Sequence, residues 1–86
     1  MPPAKEFIFT PRMQRTLRFI SGFALKYGRG PSGAEVAVGV EMSDSALAVH
    51  LRRMLAIELI HRRAATSSKN RPMWRYTVRA RGKEWL

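Results

Sequence analysis

Residues 34–60, A-E-V-A-V-G-V-E-M-S-D-S-A-L-A-V-H-L-R-R-M-L-A-I-E-L-I, constrain the fold of this chain more than any other stretch. Ala37, Val40, Met42, Leu47, Leu51, Met54 and Leu55 recur at helical spacing on either side of a tight break. That is the arrangement two helices crossing at a steep angle need in order to face each other with apolar side chains. The helix starts are marked as well. Ser32 followed by Glu35 is a capping box, in which the Ser oxygen takes a free N–H of the first turn and the Glu reaches back to the cap. Ser43 caps the next helix, and Asp44 in its first turn meets the positive end of the helix dipole. The pattern predicts a short helix over about residues 33–39, a turn at Val40, Glu41 and Met42, and a longer helix over about 44–58, together a helix-turn-helix.

The run from Glu35 to Met54 resembles the pattern E-L-A-x-x-L-G-L-S-x-S-T-V-S-x-H-L-x-x-L of bacterial winged helix-turn-helix regulators, MarR-like proteins among them. On that pattern Ala37 is the small residue where the helices touch, Leu47 the core residue of the recognition helix, and Ser43 to Arg53 the face offered to DNA. Two positions depart from it. Glu41 stands where the pattern carries Gly in a left-handed turn, and Glu58 where it carries the Gly that ends the recognition helix. Residues 9–37 add a second likeness, to the N-terminal DNA-binding domain of LexA-type repressors: a T-x-x-Q start, an aromatic-rich first helix and a G-x-P-S-x-x-E-V-A link.

Around this centre the chain reads as one domain with a short arm. Residues 1–9 are the arm, where Phe7, Ile8 and Phe9 are too apolar for a free tail and pack either on the domain or on a partner subunit. Thr10-Pro11 opens a first helix over about residues 11–27, with Thr as cap and Pro where its missing N–H does no harm. Met13, Leu17, Ile20, Ala24 and Tyr27 form its apolar stripe, Arg12, Arg15, Arg18 and Lys26 lie largely off it, and Phe19 is either a lone exposed aromatic or part of a contact surface. After Ile60 the period changes. Residues 60–65 and 73–78 read as two strands, with Trp74, Tyr76 and Val78 on one face and Met73, Arg75 and Thr77 on the other, joined by the polar T-S-S-K-N-R-P. This hairpin, over about residues 60–78, is the wing of the resembled family. The fold class expected is α+β, a winged helix-turn-helix with a three-helix core and a C-terminal two-stranded wing in a single domain over residues 10–86. Trp85 and Leu86, with Phe7, Phe9 and Phe19, are candidate contacts with a second copy or another protein.

Charge then points to the partner. The chain carries a net +10 over 86 residues, and nucleic acid is the commoner polyanion for a folded basic domain. Its distribution matters more than its total: residues 43–60 are neutral, whereas residues 61–86 hold eight Arg and Lys against Glu84 alone. Nucleic acid is therefore the expected partner, and double-stranded DNA is the form that the winged helix-turn-helix resemblance implies. Arg62, Arg63, Lys69, Asn70, Arg71 and Arg75 are the candidate wing contacts, and Ser43, Ser45, Ala48, Val49, Arg52 and Arg53 those of the recognition helix. Each set also has an ordinary explanation, as a solvated face or as caps and helix surface. Ala48 and Val49 can touch a thymine methyl yet cannot make the bidentate hydrogen bonds that discriminate bases best, so strong phosphate binding with modest sequence readout is expected. Transcriptional control, with repression favoured, is what the resemblance implies; a protein-interaction module built on the same surface is the alternative.

Other classes find no support. There is no Cys, hence no disulfide framework and no thiolate metal site, and no cofactor is expected. The two His, His50 and His61, fall on different elements, and no nucleophile–base pair or metal cluster assembles from neighbours, so an enzyme is not expected. No apolar run approaches the ~20 residues of a membrane span, and the opening M-P-P-A-K-E-F-I-F has no signal-peptide core, so a cytoplasmic protein is expected.

Overall fold

The computed structural model describes residues 8–86. Helix α1 runs over Pro11–Tyr27, α2 over Gly33–Val40 and α3 over Asp44–Ala56; strands β1 (Ile60–Thr66) and β2 (Pro72–Val78) and a short α4 (Ala80–Lys83) complete the chain. Phe7 lies outside the described residues.

The helix starts are built by their caps. Thr10 accepts from the Met13 N–H at 3.1 Å with Pro11 in the first turn of α1. At α2, Ser32 Oγ accepts from the Glu35 N–H at 3.2 Å while Glu35 Oε1 accepts from the Ser32 N–H at 2.8 Å. Ser43 Oγ takes the Ala46 N–H at 3.3 Å and opens α3.

The helix ends explain how the elements are aimed. Glu41 adopts a left-handed φ of 59° and gives its N–H back to the last turn of α2. Met42 N–H reaches Ala37 O at 3.0 Å, so α2 includes Val40 and the turn tightens to Glu41 and Met42. Helix α3 stops at Ala56, short of the Glu58 that the apolar spacing suggests. Glu58 turns left-handed with φ 63°, Leu59 N–H bonds to Met54 O at 3.0 Å, and the reversal drives Leu59 and Ile60 into the core. Both Glu residues thus take the backbone conformation of the Gly whose place they occupy in the resembled pattern, at the steric cost a Cβ brings there.

The core lies where α1, α2 and α3 meet under the base of the hairpin. Leu17, Ile20, Val36, Met54, Leu59 and Ile60 are essentially without solvent exposure, with Met13, Ala37, Val40, Leu47, Leu51 and Tyr76 around them. Met42 and Leu55 are only partly buried at its edge. The apolar stripe of α1 fades before its end: Tyr27 is 54% exposed and does not belong to the core. Phe19 is half-buried against the core, with its ring in the space a Cβ on Gly39 of α2 would need.

Strands β1 and β2 pair antiparallel, Ile60 opposite Val78 and Thr66 opposite Pro72. At the tip, Asn70 N–H bonds to Ser67 O and Ser67 N–H to Arg71 O, both at 2.9 Å, with Asn70 left-handed at φ 60°. A single further bridge joins Ser32 to Arg75, with the Tyr76 N–H on Pro31 O at 2.9 Å, so the linker before α2 is fastened to the outer edge of β2. The middle of β2 is thereby tied to the cap of α2.

Candidate nucleic-acid interface

Helix α3 packs Leu47, Leu51 and Met54 inward, which leaves Ser45, Val49, Arg52 and Arg53 exposed on the opposite side, with Ala48 exposed beside them. Val49 is 54% exposed, a large apolar side chain at the middle of this face. Ser43 is exposed too, but its hydroxyl serves as the cap of α3. A helix whose outer face is small, apolar and flanked by two arginines can enter a groove closely without needing many hydrogen-bonding partners there.

The wing alternates. Arg62, opposite Tyr76, lies on the face that turns toward α3, and Arg63, opposite Arg75, lies on the other. Lys69, Asn70 and Arg71 stand exposed at the tip. Arg75 is less free than the sequence implies, since its guanidinium donates to Gly30 O at 3.1 Å and braces the linker. Asn70 supplies the left-handed turn residue, a structural role in the tip beside any contact it makes with DNA.

Among the described residues only two ion pairs form, Arg15 with Glu41 at 3.5 Å and Arg29 with Glu35 at 3.3 Å, and both precede α3. Burial pushes the Glu35 carboxyl up, but the hydrogen bond from the Ser32 backbone and the charge and hydrogen bonds of Arg29 together hold it below the ordinary carboxylate value. From α3 onward, the cations of helix and wing have no carboxylate partner among the described residues. Their field is left for solvent or a polyanion to neutralise.

Three side-chain contacts, one of them on this surface, are not visible in the sequence pattern. The Arg62 guanidinium stands over the Trp74 ring, 4.2 Å from its centroid, a diagonal pair that strand alternation permits but does not announce. His50 Nε2 lies 3.0 Å from Thr16 Oγ1, tying α3 to the middle of α1, where Thr16 is fully buried. Phe9 stacks on Trp85 with centroids 4.4 Å apart, and Gln14 donates to Trp85 O at 3.2 Å, so the two ends of the described chain meet on α1. Phe9 and Trp85 are thus engaged with each other, and Leu86 is 44% exposed beside them. Phe19, Phe23, Tyr27 and Val38 line an open apolar groove of about 700 Å³ between α1 and α2, on which Arg18 and Lys26 also border.

No group of His, Asp or Glu among the described residues is arranged to hold a metal ion. No helix among them is long and apolar enough to cross a membrane.

No family model and no curated protein matches the chain. Among solved structures, a glycine-to-lysine mutant of MepR from S. aureus superposes with a TM-score of 0.70 at 17% sequence identity, over 94% of this chain and 56% of that one. The chain therefore spans little more than half the length of that neighbour. Helices followed by a two-stranded antiparallel hairpin, arranged as in MepR, make this an α+β protein with the winged helix-turn-helix fold.

Proposed function

We propose that the protein binds double-stranded DNA as a winged helix-turn-helix regulator, with the N-terminal half of α3 in the major groove and the wing on phosphates or in the adjacent minor groove. The observation that carries this reading is the set of cations on α3 and the wing without carboxylate partners among the described residues. They lie on the two elements that the fold presents side by side. MepR, a MarR-family winged-helix regulator of the same fold, adds support. In this reading Arg63, Lys69 and Arg71 hold the DNA backbone, with Arg75 aligned behind them, while Ser45 and Val49 touch base edges. Control of transcription, by repression as the sequence resemblance implies, follows from such occupancy of a promoter.

A gel shift of purified protein on random duplex and on genomic fragments, at two salt concentrations, tests the reading. Binding to both that weakens steeply with salt, with preference for some fragments, is the expected result. Absence of binding to duplex at the lower salt overturns it.

One observation favours a second reading, that of a protein-binding module. The apolar groove between α1 and α2 leaves Tyr27 and Val38 largely exposed, and Leu25 is 86% exposed close by. A homodimer through the terminal aromatic cluster around Trp85 and Leu86 is compatible with either reading. Light scattering at high micromolar concentration, with and without DNA, decides it: a mass that stays monomeric in both conditions removes the dimer.

A further inference from the structure

Arg52 of α3 and Arg62 of β1 line one small cleft of about 140 Å³, floored by Leu51, Leu55 and Tyr76. It lies in the angle between recognition helix and wing, since Ala48, Leu51, Arg52 and Leu55 recur at the spacing of one helix side. Neither arginine has a carboxylate partner among the described residues. Two arginines without carboxylate partners on the walls of one partly apolar cleft give it a positive potential that a single anion seated there would neutralise. Arg62 is moreover held in place, its Cζ 4.2 Å from the centroid of the Trp74 ring, on the hairpin face that looks toward α3.

The geometry of a duplex says which anion fits. A helix in the major groove and a hairpin reaching the next minor groove straddle the sugar–phosphate strand that separates the two grooves, so that strand passes through the angle between the two elements. We infer that Arg52 and Arg62 together seat one backbone phosphate in this cleft, and that Trp74 positions Arg62 for it. Arg52 then serves the backbone and not a base edge, and the wing is set relative to the helix by a contact that carries no sequence information. The inference rests on the DNA-binding reading above.

The test measures affinity for a random duplex by fluorescence anisotropy across a salt series, for the parent, Arg52→Ala, Arg62→Ala, the Arg52→Ala/Arg62→Ala double variant, Trp74→Leu, Trp74→Leu combined with Arg62→Ala, and Trp74→Tyr. One shared phosphate predicts that the double variant lowers the log–log salt slope by about 0.9, whereas two separate phosphates would lower it by about 1.8. Trp74→Leu weakens binding by about two- to fivefold in the parent and has no effect once Arg62 is Ala, and Trp74→Tyr restores most of the affinity. A purely structural role for Trp74 would weaken binding in both backgrounds. A slope change near the larger value, an unchanged slope, or a Trp74 effect that persists without Arg62 overturns the inference while leaving DNA binding in place. Failure of the parent to bind duplex overturns the underlying reading as well.

Discussion

Thr16 is fully buried and has one hydroxyl proton, which it gives to Arg12 O at 2.9 Å; the 3.0 Å contact with His50 must then be a donation from His50 Nε2–H. Burial, followed by the charges of Arg12 on α1 and Arg53 on α3, lowers the pKa of His50 below its ordinary value of 6.5. The unfolded chain thus takes up a proton that the folded chain resists. The stability held by neutral His50 is present above about pH 6.5 and declines as pH falls through that value toward the folded pKa. Thermal melts should show the parent losing stability between about pH 7.5 and 5.5, and His50→Gln losing less over the same window. An equal loss in the variant would assign the effect elsewhere. Gly30 is a second residue whose identity is fixed by its surroundings: a Cβ there would overlap the Tyr76 carbonyl and press on Thr77 Cγ2. Because backbone cannot swing aside as a side chain can, Gly30→Ala should cost about 1–3 kcal/mol in a denaturant melt. Neither constraint is legible in the sequence, where His50 reads as a surface or half-buried helix residue with no partner indicated and Gly30 as part of a linker. Each depends on a partner more than thirty residues away.

At the scale of elements, the local signals are the readable ones. Thr10, Ser32 and Ser43 announce helix starts because a cap acts on N–H groups within three residues, a range that sequence displays directly. The ends are harder. Glu41 and Glu58 hide left-handed turns that Gly would advertise, so α3 reads two residues too long. The Ser32–Arg75 bridge is a single pair and leaves no period to detect. Glu58→Gly should stabilise the protein by up to about 1 kcal/mol, as the exposed Glu contributes no ion pair to offset the strain of its φ. Destabilisation in a thermal melt would show that the side chain matters in another way. Leu47→Ala and Leu51→Ala should each cost about 2–5 kcal/mol by opening cavities between α3 and its supports, enough to threaten a domain of this size. A melt within a degree or two of the parent for either variant would mean that the phase of α3 is different and the exposed face with it.

For the whole molecule, the placement of charge decides the account. Net charge of +10 is plain from composition, and its concentration after residue 60 from simple inspection. What requires the fold is that Glu35 and Glu41 are engaged with Arg29 and Arg15, so that neither pairs with a cation of α3 or the wing among the described residues. The resemblance in residues 35–54 names the fold correctly, and the superposition on MepR shows the same architecture at an identity too low for sequence alone to carry. Of the candidate site, the wing cations and the outer face of α3 are legible as sets. The bracing role of Arg75, the Arg62–Trp74 stack and the closure of Phe9 on Trp85 are not, since each is an interaction across elements. The most direct test of the central claim is a salt titration of duplex binding, on a selected site and on random DNA, for wing and α3 variants side by side. The parent should show a log–log slope near −5, corresponding to about six phosphates. Lys69→Ala and Arg71→Ala should weaken both duplexes alike and reduce the slope by about one for each phosphate the side chain neutralises. Ser45→Ala and Val49→Ala should change the preferred sequence, by about 1–3 kcal/mol for each base edge the side chain reads, and leave the slope alone. Wing variants that fail only on the selected site, or a parent whose binding barely responds to salt, would contradict this division of labour between wing and helix.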